Sequence, residues 1–142
     1  MKKTLILLLA IVLASLLTAC GGAKETELSG EEKDAVLAYS EAKTENMMAG
    51  MKTGDYAAFS QDFDQAMLDA MSQDAFEKLK QGYDGKLGAY VSRKVNRVMQ
   101  SQSGKFVAIV YDAVFEKDDA VSMRVVFRAD DLHQISGLWF NK

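Results

Sequence analysis

Asp112 is the residue with the most evident chemical potential. It interrupts the run from Val107 to Phe115, whose other members are almost all apolar. A carboxylate in such surroundings holds its proton to higher pH than one in water, and so could act as a general base. Arg124 and Arg128 lie on the strand that follows and could instead pair with it across the sheet face. The ion pair is the leading reading, with catalysis and ligand orientation as alternatives. His133 is the only histidine, so a multi-histidine metal site is excluded and any Ser-His-Asp triad must use this residue. Its place after Asp130-Asp131, at the start of the last strand, reads as a surface or hairpin-edge position first and an acid–base position second.

Other patterns that look chemical have plainer explanations. Met47 with Met51, and Met67 with Met71, have the i, i+4 spacing of a thioether copper site. The same spacing is that of a buried helix face, where methionine fills irregular gaps. Gly82, Gly85 and Gly88 follow a helix and precede a strand. Phosphate cradles need the reverse order, so these glycines read as a helix stop and a turn. Asp62 and Asp64 begin a calcium-like alternation that Ala66 breaks, and they read as solvated helix residues. Arg93, Lys94 and Arg97 form the one basic cluster, expected on an exposed sheet edge or face, with recognition of an anionic partner as the alternative. No metal and no cofactor is expected.

Cys20 is the only cysteine, and its surroundings are specific. Lys2 and Lys3 give a short positive start, and Leu5 to Leu17 is apolar apart from Ser15. That run fits the ~7–15 residues of a secretory leader and falls short of the roughly 20 needed to cross a bilayer. It ends in Leu17-Thr18-Ala19-Cys20, which resembles the bacterial lipobox: an aliphatic residue, two small ones, and the cysteine that takes lipid before cleavage. The expected organisation is a signal peptide over 1–19, a lipidated cysteine and flexible tether over 20–29, and a single domain over 30–142. The implied location is the extracytoplasmic side of the cell membrane, with lipid on Cys20 as the membrane contact. Gly21 is not the aspartate that signals inner-membrane retention, so the outer membrane is open to it if the host has two membranes. The net charge of −3 becomes more negative once Lys2 and Lys3 are removed, which disfavours nucleic acid and anionic membrane surfaces as partners.

Without cysteine pairs or proline, the domain must be organised by its apolar pattern, its glycines and its caps. Ser29 and Glu32 have capping-box spacing, and Val36, Leu37, Met47, Met48 and Met51 share one helical stripe up to Gly54. Asp55 can cap a second helix carrying Tyr56, Phe59, Phe63, Met67 and Met71, and Ser72 a third with Phe76, Leu79 and Tyr83. From Ala89 to Phe140 the pattern predicts four strands joined by hairpins, the second of them central because both its faces are apolar. Helices followed by a meander give an α+β domain with helices on one face of an antiparallel sheet.

Lys52-Thr53-Gly54-Asp55-Tyr56, the aromatic pair Phe59 and Phe63, and the ending Ile135-Ser136-Gly137-Leu138-Trp139-Phe140 resemble domain-of-unknown-function family 3887, over roughly Glu31 to Phe140. That resemblance implies the cone of the nuclear transport factor 2-like, cystatin-like group, in which a curved sheet wraps a long helix and can leave an apolar cavity. It brings no established catalytic residues. Tyr90, Tyr111, Met123, Phe127 and Trp139 are the expected cavity lining or mouth. The leading expectation is a non-enzymatic, lipid-anchored module for a small apolar ligand or a neighbouring envelope protein. The alternative is an isomerase, lyase or hydrolase using Asp112 with Tyr90 or Tyr111, since enzymes of this fold class pair such an acid with a tyrosine. A homodimer through the open sheet face is the third reading.

Overall fold

A computed structural model describes residues 24–142; the expected signal peptide over 1–19 and the expected lipidation site Cys20 lie outside the described residues. Five strands and four helices follow one another as β1 (Glu25–Glu27), α1 (Gly30–Thr53), α2 (Tyr56–Ser60), α3 (Gln65–Ala70), α4 (Gln73–Lys86), β2 (Tyr90–Ser101), β3 (Phe106–Phe115), β4 (Asp118–Arg128) and β5 (Ile135–Asn141). The sheet is antiparallel throughout, in the order β1-β2-β3-β4-β5. The chain is thus an α+β domain with its helices ahead of a meander, and β3 is the central strand, as its two apolar faces require.

The sheet has one strand more than the sequence pattern predicts. Glu25, Thr26 and Glu27 pair with Ser101, Gln100 and Met99, so this part of the expected flexible tether is an edge strand. All three residues are exposed and have no apolar alternation. What holds them is the open hydrogen-bonding edge of β2, which periodicity does not reveal.

Helix ends follow the chemistry of their caps, with one exception. Asp55, Asp64 and Ser72 each accept a hydrogen bond from a backbone N–H three residues on. Ser29 holds the N-cap position of α1 but makes no side-chain cap bond, so the expected capping box does not form. Gly54 ends α1 in the left-handed conformation at φ 78°, with its N–H on the Gly50 carbonyl. The expected second helix is split into α2 and α3. Between them Phe63 bridges Ile135 in parallel, Ile135 N–H donates to Asp62 O, and Asp64 N–H donates to Ile135 O. Backbone groups satisfied by β5 cannot also extend a helix. Asp62 and Asp64 are therefore not solvated helix residues: Asp64 is buried and caps α3. Gly82 and Gly85 lie inside α4, and the stop comes at Gly88, where φ is 75°.

The core lies between the helices and one sheet face. Met47, Met48 and Met51 of α1, Phe59, Phe63 and Met67, and Phe76 of α4 meet Val98, Ile109, Tyr111, Ala113, Phe115, Val121, Met123, Val125 and Phe127. Met47, Met51 and Met67 are core residues, and Met71 packs half-buried against them. α1 and α2 approach so closely at Gly50 that a Cβ there would lie 2.3 Å from the Phe59 backbone nitrogen.

Candidate functional site

Two neighbouring features on the helix side of the sheet could do chemistry or bind. The first is a polar network between α1 and strands β2 and β3. The helical spacing of Glu41, Thr44 and Glu45 turns them toward Arg93 and Tyr111, on adjacent strands. Tyr111 donates from its hydroxyl to Glu41 Oε1 at 2.7 Å, so Thr44 Oγ1, 3.2 Å from Tyr111 Oη, must be the donor of that second bond. Arg93 donates to Tyr90 Oη at 3.1 Å, to Glu41 O at 3.1 Å, and to the carboxylate of Glu45. Its guanidinium also lies over the Tyr111 ring, 5.2 Å from the centroid.

Each charge in this network has a compensating partner. Burial raises the Tyr111 hydroxyl pKa well above that of a free tyrosine, reinforced by the Glu41 bond and charge and opposed by Thr44 and Arg93. For Arg93, burial alone would lower the pKa, but bonds to Tyr90 and Glu45 and the Glu41 charge outweigh it, leaving it above the ordinary value. A phenol held protonated and a guanidinium held charged are poor proton carriers near neutral pH. The network fastens α1 to the sheet. Its Arg93 side chain is only 8% exposed, so the expectation of an exposed basic cluster fails for this residue. The β2 bulges between Tyr90 and Ser92 and between Val95 and Arg97 turn Arg93 inward while Lys94 and Arg97 stay exposed.

The second feature is a cleft of about 510 Å³ between the end of α4 and the ends of β4 and β5. Leu87 and Val121 are buried in its floor, with Tyr83 and Phe140 half-buried beside them and Lys86 and Lys142 at its rim. The aromatic rings continue inward. Tyr83 and Phe140 centroids are 4.7 Å apart, Phe140 and Phe115 5.8 Å, and Phe115 and Tyr90 5.8 Å. Tyr90 thus joins the cleft's aromatic floor to the Arg93 network. Partial burial raises the Tyr83 pKa, so its hydroxyl stays neutral at the cleft wall. A groove of about 550 Å³ between Gly54 and α4 is lined mostly by charged side chains, among them Asp74, Glu77, Lys78 and Lys80. Phe76 is its one large apolar lining residue, so its lining is not predominantly apolar as in typical ligand sites.

The expected pocket residues are dispersed. Tyr90 and Tyr111 come together through Arg93 and Glu41. Met123 and Phe127 point to the helix side but are fully buried in the core. Trp139 stands opposite Arg124 on the other sheet face, is 51% exposed, and its ring occupies the space a side chain at Gly137 would need. Asp112 is also on that outer face, exposed, with Asn96 donating to both carboxylate oxygens at 2.9 and 3.1 Å. Strand alternation makes this unavoidable, because Tyr111 faces the helices and its neighbour must face away. The carboxylate–tyrosine pairing is therefore not formed. Neither expected arginine partner reaches Asp112, since Arg124 pairs with Glu25 and Arg128 with Asp130.

His133 precedes β5, in a left-handed backbone conformation at φ 45°. Its ring stacks on Tyr39 at 3.7 Å, and Lys43 donates to the carbonyls of Leu132 and His133. Among the described residues no cluster of His, Cys, Asp or Glu could hold a metal, and no helix is long and apolar enough to span a membrane. Sequence reasoning missed Tyr83, Leu87 and Val121 as cleft residues. The aromatic and apolar signal was present, but only the packing of α4 against the far end of the sheet separates cleft from core.

Comparison with curated proteins and with solved structures gave no match. A family model described as "Protein of unknown function (DUF3887)" matches residues 44–138, well over half of the chain. The match runs from Thr44 of the polar network to Leu138 of β5, and so takes in α2, α3, α4 and three whole strands. The chain belongs to the DUF3887 family.

Proposed function

We propose that this chain is a lipid-anchored extracytoplasmic lipoprotein whose domain is a non-enzymatic binding module, with the α4–β4–β5 cleft as its ligand site. The observation that carries the binding reading is the cleft itself. Its apolar floor is formed by Leu87, Val121, Tyr83 and Phe140, with the two ammonium groups of Lys86 and Lys142 at the rim. Such a site suits a small amphiphile with an apolar body and an anionic head. Lys142 is also paired with Asp118, which leaves Lys86 as the freer cation. The anchor rests on Leu17-Thr18-Ala19-Cys20 and the apolar run before it.

The test uses anilinonaphthalene sulfonate, an apolar anion that fluoresces when bound, with a chain starting at Gly21. Saturable binding to one site is expected, weakened by Tyr83→Ala and by Lys86→Glu. Trp139→Ala should leave it unchanged, because that indole lies on the other face of the sheet. Failure to saturate, or equal loss in all three variants, would refute the cleft as the site.

A further inference from the structure

We infer that the domain sits on the bilayer in one orientation: the end of the sheet carrying the β2–β3 turn and the β4–β5 loop meets the lipid surface, and the cleft opens away from it. This inference rests on the lipid-anchor reading, and it comes from where the chain joins the sheet. Gln102 N–H donates to Lys24 O at 2.9 Å, and Glu25 to Glu27 are already paired with β2. Four residue steps separate Cys20 from Lys24, a reach of at most about 14 Å when fully extended. A domain of this size has a radius of gyration of roughly 13–14 Å. A leash no longer than that cannot let the domain turn freely. The surface around Lys24 must stay close to the lipid.

The groups at that end are suited to it. Ala129 N–H donates to Lys105 O at 2.9 Å, joining the β2–β3 turn and the β4–β5 loop into one rim. Two apolar side chains stand out from this rim, Leu132 at 67% and Phe106 at 36% exposure. Lys24 and Lys105 are exposed beside the same turn. Leucine and phenylalanine suit the headgroup–acyl boundary, and lysine suits lipid phosphate. Of the acidic residues at this end, Glu25 is held by Arg124 and Asp130 by Arg128, while Glu27 and Asp131 are exposed. Contact therefore depends on the leash and the apolar pair more than on net charge. The cleft lies at the opposite ends of β3 and β4, a strand length of about 33 Å away.

The experiment uses the full lipidated chain in vesicles of phosphatidylethanolamine and phosphatidylglycerol containing a nitroxide-labelled lipid. Acylation removes the only native thiol, so Leu132→Cys and Asp119→Cys each supply a single site for a fluorescent label. The label at 132 should lose most of its emission to the nitroxide, and the label at 119 should lose none. Equal quenching at the two positions, or stronger quenching at 119, overturns the orientation while leaving the anchor intact. Flotation with the vesicles reports the anchor separately: it should be lost in Cys20→Ala, and a native chain that fails to float overturns both readings.

Discussion

Replacing Tyr111 by phenylalanine removes one oxygen from the α1–sheet network and leaves the ring in place. That oxygen donates to the Glu41 carboxylate at 2.7 Å and accepts from Thr44, whose side chain is wholly buried. A hydrogen bond to a charged group contributes about 1.5–3 kcal/mol, and a buried hydroxyl left without a partner costs about 1–3 kcal/mol. The Glu41 side chain is 43% exposed, so water can replace part of the first contribution and the lower end of that range applies. Phenylalanine also escapes the desolvation of the phenol, which offsets some of the loss. The expected net destabilisation is about 2 kcal/mol, or a fall in Tm of roughly 6–10 °C for a domain of this size. Urea unfolding of a chain starting at Gly21 would measure it, with an unchanged m-value showing that the folded surface is the same. Adding Thr44→Val should cost less in the Tyr111→Phe background than in the native one, because the hydroxyl it removes has already lost its partner. A destabilisation below about 0.5 kcal/mol, or strict additivity with Thr44→Val, would refute the network as the tie between α1 and the sheet.

Two further outcomes follow from the same packing. The Tyr111 pKa is raised in the folded state above 10.0, the value of an unperturbed tyrosine, so its contribution to stability is complete below pH 10. It is lost as the pH climbs from there through the folded value, because the unfolded chain releases the proton first. Urea midpoints measured between pH 9 and 11 should therefore fall more steeply for the native chain than for Tyr111→Phe, and parallel curves would contradict this. Gly50→Ala gains about 1 kcal/mol of helix propensity, but its methyl would meet the Phe59 backbone at 2.3 Å, with no side chain there to move aside. Overpacking of this kind costs about 1–3 kcal/mol or more, so a net loss near 2 kcal/mol is expected by thermal unfolding, and a stabilised variant would show that α1 and α2 can separate.

Much of the architecture was legible in the residues themselves. The methionine stripe of α1, the caps at Asp55 and Ser72, the left-handed stop at Gly54 and the two-faced apolar run of β3 each express a local preference strong enough to stand alone. They establish helices followed by an antiparallel meander. The resemblance of Leu17-Thr18-Ala19-Cys20 to a lipobox is equally local, since it rests on four consecutive residues.

What tertiary structure decided was whatever depends on a distant partner. Glu25 to Glu27 became a strand only because the edge of β2 was open to them. The run from Tyr56 to Met71 has helical spacing throughout, yet Ile135 took the backbone groups of Asp62 and Asp64 and broke it in two. Asp112 and Trp139 were chosen as site residues by type, but strand alternation and register placed both on the outer face. Arg93 looked like part of an exposed basic cluster until two β-bulges turned it inward to Glu41, Glu45 and Tyr90. Local sequence sets φ, ψ and period; which face meets which, and so what lies buried beside what, is fixed only when the helices close over the sheet.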